Sequence, residues 1–178
     1  MIFQETKLQG AFVIDIEKIQ DERGFFAEGW KKDVAVQHGI DVEFTRTNIS
    51  NNVHKGTLRG MHSQKAPYAE AKLVRCIQGS IFDAIVDIRP DSPTYLQWVG
   101  VELSAQNHRM LYVPRGFLHG FQTLEDDTTV FYQVAGTYKP EAEQGARYDD
   151  PAFSIQWPPA TERILSDKDQ NWSGFTAE

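Results

Sequence analysis

The chain's 178 residues, 40% of them hydrophobic and 12% aromatic, suit one globular domain, and a single domain over 1–178 is expected. No apolar run approaches the roughly 20 residues needed to span a bilayer, so no membrane partner is expected. A net charge of −7 argues against nonspecific nucleic-acid binding, which draws on basic patches, yet leaves room for a local basic pocket holding one anionic ligand.

The opening stretch MIFQETKLQGAF lacks the basic start, apolar middle and small-residue cleavage site of a secretory leader, which makes the cytoplasm the expected location. Lys31 to His38 carries a short helical signal, and the last fifteen residues carry another. From Lys72 to Ile88, KLVRCIQGSIFDAIVDI alternates apolar and other residues around a Gly-Ser break, which predicts a hairpin of two strands. Cys76, the only cysteine, rules out an internal disulfide or a thiolate cluster and reads as a buried apolar filler. WVGVEL, MLYVP, TVFYQV and SIQW add short runs rich in β-branched and aromatic residues, separated by the turn signals RPDSPT, AQN, LEDD and YKPE. No repeat or linker interrupts them. Many short strands with few helices predict an all-β fold, a sandwich, a jelly roll or a barrel of the cupin kind, and the two motifs around His62 and His119 make a cupin-like jelly-roll β-barrel with short flanking helices the expected form.

The stretch from Tyr112 to Leu124, YVPRGFLHGFQTL, contains the P-x-G-x-x-H pattern of a second cupin motif, and GTLRGMHSQ from Gly56 occupies the place of the first. Metal-binding cupins usually present H-x-H there, whereas here His62 is followed two positions on by Gln64. A divalent metal prefers three or four protein ligands, so no metal is expected. His62 on its own reads as a structural barrel histidine. Its context changes that reading.

The motifs DERGFFAE, NIS, GTLRGMHSQ, KLVRCIQGSIFDAIVDIRPDSPTY, LYVPRGFLHGF, VFYQVAGTYKPEAE, YDDPAFSIQWP and LSDKD follow one another in that order. Together they resemble the dTDP-4-dehydrorhamnose 3,5-epimerase family over most of the chain. The resemblance implies a homodimeric cupin that binds a dTDP-linked 4-keto-6-deoxy sugar and inverts C3, C5 or both. A proton next to a ketone is weakly acidic, so its removal needs a positioned base and stabilisation of the developing enolate oxygen. By resemblance His62 is that base, Asp169 the carboxylate that orients it, with Asp167 a nearby competitor, and Tyr132 the acid on the opposite face. Lys72 matches the lysine near the C4 oxygen, and His119 a second histidine that holds the sugar or the oxyanion.

Arg59 and Arg23 are the candidate phosphate ligands, since a guanidinium can grip phosphate oxygens in pairs. Arg23, Phe26 and Glu28 lie in the segment that, by resemblance, reaches into the neighbouring subunit's pocket. Asn48 resembles a residue that contacts the base or a phosphate. Tyr138 sits where relatives carry an aromatic that influences how far epimerisation proceeds. Arg46, Ser63, Gln133, Gly136 and Trp172 depart from common family patterns. Three other readings stand beside a double epimerase: a single-carbon epimerase, a metal cupin oxygenase or isomerase, and a non-catalytic sugar-nucleotide-binding cupin.

Overall fold

A computed structural model describes residues 1–40 and 43–176. In chain order the strands are β1 (Ile2–Glu5), β2 (Phe12–Asp15), β3 (Ile19–Asp21) and β4 (Gly24–Phe26), followed by helix α1 (Lys32–Gln37). Then come β5 (Arg46–Asn52), β6 (Leu58–Gln64), β7 (Ala71–Gln78), β8 (Ser80–Asp87) and β9 (Trp98–Ser104). The series closes with β10 (Met110–Val113), β11 (Phe117–Thr123), β12 (Thr128–Ala135), β13 (Glu143–Gly145) and the short helix α2 (Asp167–Gln170). Two sheets carry the architecture, one of six strands in the order β1-β2-β10-β7-β12-β5 and one of five in the order β13-β6-β11-β8-β9. They face each other as an antiparallel jelly roll of cupin type.

Alternation along each strand sorts its residues between two faces. Val74, Cys76 and Val130 from the six-stranded sheet meet Ile81, Ile85, Leu103 and Phe117 from the other in the inter-sheet core. The Cys76 thiol donates to the Gln78 carbonyl at 3.0 Å, and burial pushes its pKa up to about 11; it packs as an apolar filler. Outside the six-stranded sheet, Leu73, Met110 and Tyr112 are covered by Ala35 of α1 and by Ile40. Outside the other, Met61, Val86 and Leu118 are covered by Phe153, Ile155 and the half-buried Trp157. Both faces of β10 and β11 are buried along their whole length.

Two sequence expectations need correction. β7 and β8 lie where Lys72 to Ile88 predicts strands, yet they do not form a hairpin: β7 pairs with β10 and β12, while β8 pairs with β9 and β11. Gly79, at φ 72°, turns the chain from one sheet into the other. Alternation reports a strand and its faces, not its partner, and a left-handed glycine serves a sheet-crossing corner as well as a hairpin turn. SIQW forms no strand either; its Ile155 and Trp157 are spent on covering the five-stranded sheet. Of the two helical signals, the first gives α1 and the second only the four residues of α2. No helix among the described residues is long and apolar enough to cross a membrane.

Candidate active site

The site begins with an irregularity in β6. His62 stands opposite His119 of β11, but Phe121 stands opposite Arg59, so three residues of β6 span two of β11. In a regular strand, residues three apart point to opposite faces. The extra residue is a β-bulge, and it lets Arg59 and His62 both line the same interior cavity. Gly60 makes the bulge possible. Its φ is 129°, and a Cβ there would stand 2.5 Å from Gly120 Cα and 2.9 Å from the His119 carbonyl oxygen, so no larger residue fits without moving β11.

Nε2 of His62 is hydrogen-bonded to Oδ1 of Asp169 on α2. Ser166 caps α2, its hydroxyl accepting the Asp169 N–H at 3.2 Å, and this fixes the turn from which the carboxylate points. Burial on its own would raise the Asp169 pKa, but the hydrogen bond and charge of His62, with hydrogen bonds from Ser166 and the Gly60 backbone, outweigh it and hold the carboxyl below its ordinary value. Asp169 is therefore ionised beside the imidazole. Asp167, its neighbour in LSDKD, is exposed.

The facing wall comes from the six-stranded sheet. Lys72 of β7 and Tyr132 of β12 point inward as diagonal neighbours, since Val134 pairs with Lys72 and Val74 with Tyr132. Burial pushes the Lys72 ammonium below the ordinary lysine value; Glu70, Asp83 and Glu143 pull it back, and Arg46 adds to the fall. On the His62 side, Nε2 of His119 lies 2.6 Å from Oδ1 of the fully buried Asp83. The other Asp83 oxygen has no hydrogen-bond partner among the described residues.

Between these walls lies a cavity of about 500 Å³ whose lining includes Asn51, Arg59 and Phe121. It continues into a smaller lobe of about 160 Å³ lined by Asn48, Gln64, Glu70 and Tyr138. His62, Lys72 and Tyr132 border both and form the waist. The Arg59 stem is fixed by its Nε donating to Asn52 Oδ1 at 2.7 Å.

Gln64, in the place of a second cupin histidine, is committed elsewhere. Its Nε2 donates to Tyr68 O at 2.9 Å and Glu70 Oε1 at 2.7 Å, and its Oε1 accepts Lys139 N–H at 2.6 Å. It braces a loop and is not free to ligate. Among the described residues no three His, Cys, Asp or Glu side chains gather as a metal set.

Seven other expected residues fall into three groups. Arg59 and His119 line the main cavity, and Asn48 and Tyr138 the smaller lobe. Arg23, Phe26 and Glu28 do not line the cavity of their own chain. Arg23 pairs with Asp21 at 2.6 Å, Glu28 with Lys31 at 3.5 Å, and Phe26 is 69% exposed. Arg46 lines the smaller lobe, where it pairs with Glu70, donates to the Gly136 carbonyl at 3.1 Å and lies 5.7 Å from the Tyr138 ring centre. Sequence reasoning missed Asp83, Ser166 and Lys168. Asp83 shares the alternation of Ile81 and Ile85, which marks a carboxylate on an interior face that must find a partner.

A double-sheeted barrel with an open, polar interior and a histidine–carboxylate pair on one wall defines a cupin-type binding or catalytic barrel. The sequence profile of the dTDP-4-dehydrorhamnose 3,5-epimerase family matches residues 5–177. A dTDP-4-dehydrorhamnose 3,5-epimerase of Sinorhizobium fredii is 42% identical over 171 residues, covering 96% of this chain and 88% of its own. The crystal structure of dTDP-4-dehydrorhamnose 3,5-epimerase from Bacillus anthracis, with TDP and PPi bound, superposes with a TM-score of 0.93 at 42% identity, covering 98% of this chain and 99% of its own. A dTDP-6-deoxy-D-glucose-3,5-epimerase from Legionella pneumophila in complex with dTDP-4-keto-L-rhamnose gives 0.88 at 38% identity, covering 95% and 89%. The chain belongs to the dTDP-4-dehydrorhamnose 3,5-epimerase family.

Proposed function

We propose that the chain epimerises C3 and C5 of a dTDP-linked 4-keto-6-deoxyhexose by proton transfer without a cofactor. One observation carries the reading: His62, paired with Asp169 of α2, and Tyr132 come from opposite sheets and border one cavity, with Lys72 beside Tyr132. A sugar ring lying between the walls has a base on one face and a hydroxyl acid on the other, as inversion demands.

In this mechanism the neutral imidazole of His62 takes the proton from the carbon next to C4, and the electron pair of the broken C–H bond moves onto the C4 oxygen. The ionised Asp169 stabilises the imidazolium that results. Lys72 offsets the enolate charge, and its partial burial strengthens that attraction relative to water. Tyr132 then protonates the carbon from the other face, and solvent restores both groups. His119, held by Asp83, steadies the sugar or its oxyanion. Arg59 takes a phosphate, and Asn48 contacts the nucleotide or a phosphate.

The active assembly is a cytoplasmic homodimer in which Arg23, Phe26 and Glu28 complete the neighbour's pocket. The β3–β4 hairpin supports this, because the ladder partners Ile19 and Phe26 are both exposed on one of its faces, an apolar pair of the kind found at an interface.

The test is incubation with dTDP-4-keto-6-deoxyglucose in heavy water, with a count of the ring carbons that acquire deuterium. Label at both C3 and C5 in an inverted product is expected. Label at one carbon alone identifies a single-carbon epimerase, and a substrate that binds without any label identifies a binding protein.

A further inference from the structure

The segment that carries Asp169 has little backbone support. Ile164 makes one bridge to Thr57, and the described residues beyond it form no further strand pairing. Trp172 docks the end of α2, beside Arg147, whose guanidinium donates to the Gln170 carbonyl at 3.4 Å. The Trp172 ring lies directly on Gly145 of β13, where a Cβ would stand 2.4 Å from the indole Cε2 and 2.7 Å from Cδ2. Gly145 is the ladder partner of His62, so the seat of the ring is the residue next to the base.

The ring centre is 6.1 Å from the imidazole centre, with the planes 59° apart. Lys168 of α2 lies 5.6 Å over the same ring and 2.5 Å from Glu143 Oε1 of β13. The indole Nε1 is buried without a hydrogen-bond partner among the described residues. The ring is therefore held by packing and by the Lys168 cation, not by a bond of its own. Trp172 does not border the cavity that His62 and Asp169 line; it borders a separate pocket with Leu118, Glu143, Gly145 and Phe175.

We infer that Trp172 is a positioning residue: seated on Gly145, it pins the end of α2 so that the Asp169 carboxylate keeps the His62 imidazole aimed into the cavity. This rests on the reading of His62 as base and Asp169 as its orienting carboxylate. Gly145 is the complement, because any side chain there would lift the ring.

Trp172→Ala and Trp172→Phe, each in the natural background and in Asp169→Asn, together with His62→Ala, test it through kcat, KM and the unfolding midpoint. Trp172→Ala is expected to lower kcat by about tenfold to a hundredfold, the scale of a misplaced catalytic group, with KM little changed. Trp172→Phe restores most of that loss. In the Asp169→Asn background Trp172→Ala costs no further turnover, because the two changes act on one coupling.

Unchanged kcat in Trp172→Ala, or losses that multiply in the Asp169→Asn background, overturns the positioning role. Full turnover by His62→Ala overturns the base assignment and the inference with it, and that outcome is distinct from an inactive His62→Ala beside an unaffected Trp172→Ala. Should Trp172→Ala fail to fold, Trp172→Leu carries the same comparison.

Discussion

His62 and Asp169 stand 107 residues apart in sequence and share a hydrogen bond between Nε2 and Oδ1. If they act as base and orienter, their loss should be graded. His62→Ala should abolish both turnover and solvent-deuterium exchange at C3 and C5. Asp169→Asn should weaken the same step while leaving some exchange. General acid–base groups contribute about a hundredfold to ten-thousandfold, and kcat measured by product formation should fall within that range. An unimpaired His62→Ala would show that another group takes the proton.

Tyr132→Phe should fail in a different way. The base can still remove its proton and return it to the same face, so exchange with retention should continue while inversion stops. Mass spectrometry of recovered substrate, set against product formed, separates the two. Equal loss of exchange and inversion would place Tyr132 outside the acid role.

Arg23 projects from the β3–β4 turn with its side chain 85% exposed, away from its own cavity. If it serves the partner's pocket, Arg23→Ala and His62→Ala should complement each other. A mixed dimer then holds one site with both natural residues, and co-expression of the two variants should yield activity that neither shows alone. If Arg23 serves its own chain, no mixed dimer has an intact site and activity should stay absent.

The contact of Gly60 with Gly120 gives a fourth expectation. A methyl at Gly60 would stand 2.5 Å from Gly120 Cα and would also force a non-glycine residue to φ 129°. Gly60→Ala should cost about 1–3 kcal/mol in backbone strain and should also move Arg59 and His62 relative to each other. A urea titration beside a rate measurement checks both effects. A variant with unchanged stability and rate would mean that the bulge is dispensable.

What the sequence made legible follows from what its patterns encode. The cupin motifs were readable because fixed spacing places Pro114, Gly116 and His119 at the turn and strand that line the interior. The strands of WVGVEL, MLYVP and TVFYQV were readable because alternation is local. Pairing is not local, and so β7 and β8 looked like a hairpin when a left-handed Gly79 sends them to different sheets. The same limit hid the seat of Trp172 on Gly145. The choice of Asp169 over Asp167 came from family resemblance, because no periodicity links β6 to the chain's last turn. Arg46 illustrates the remaining gap: its departure from family pattern was visible, but its partner Glu70 could be found only in three dimensions.

Asp87 leads to a prediction about acid stability. It closes β8 with a side chain that is completely buried. Oδ1 accepts the Arg89 N–H at 3.1 Å and its Nε at 2.8 Å; Oδ2 accepts the Arg89 terminal nitrogen at 2.7 Å, the Ser92 hydroxyl at 2.5 Å and the Thr94 hydroxyl at 2.7 Å. Burial would raise its pKa, but these hydrogen bonds bring it down to about 2. An unfolded aspartate titrates near about 3.9, and the gap corresponds to about 2 to 3 kcal/mol. Since the folded value is the lower one, the unfolded chain binds the extra proton first, and stability rises with pH across this window. The contribution is complete above about pH 4 and is lost as pH falls through about 2. Asp87→Asn removes the titration and leaves Arg89 with a neutral partner. The variant should therefore be less stable than the natural chain near neutrality, and the difference between them should shrink below about pH 4. Unfolding free energies from urea titrations across that range measure it, and a difference that stays constant down to about pH 2 would show that the Asp87 network does not carry the acid dependence.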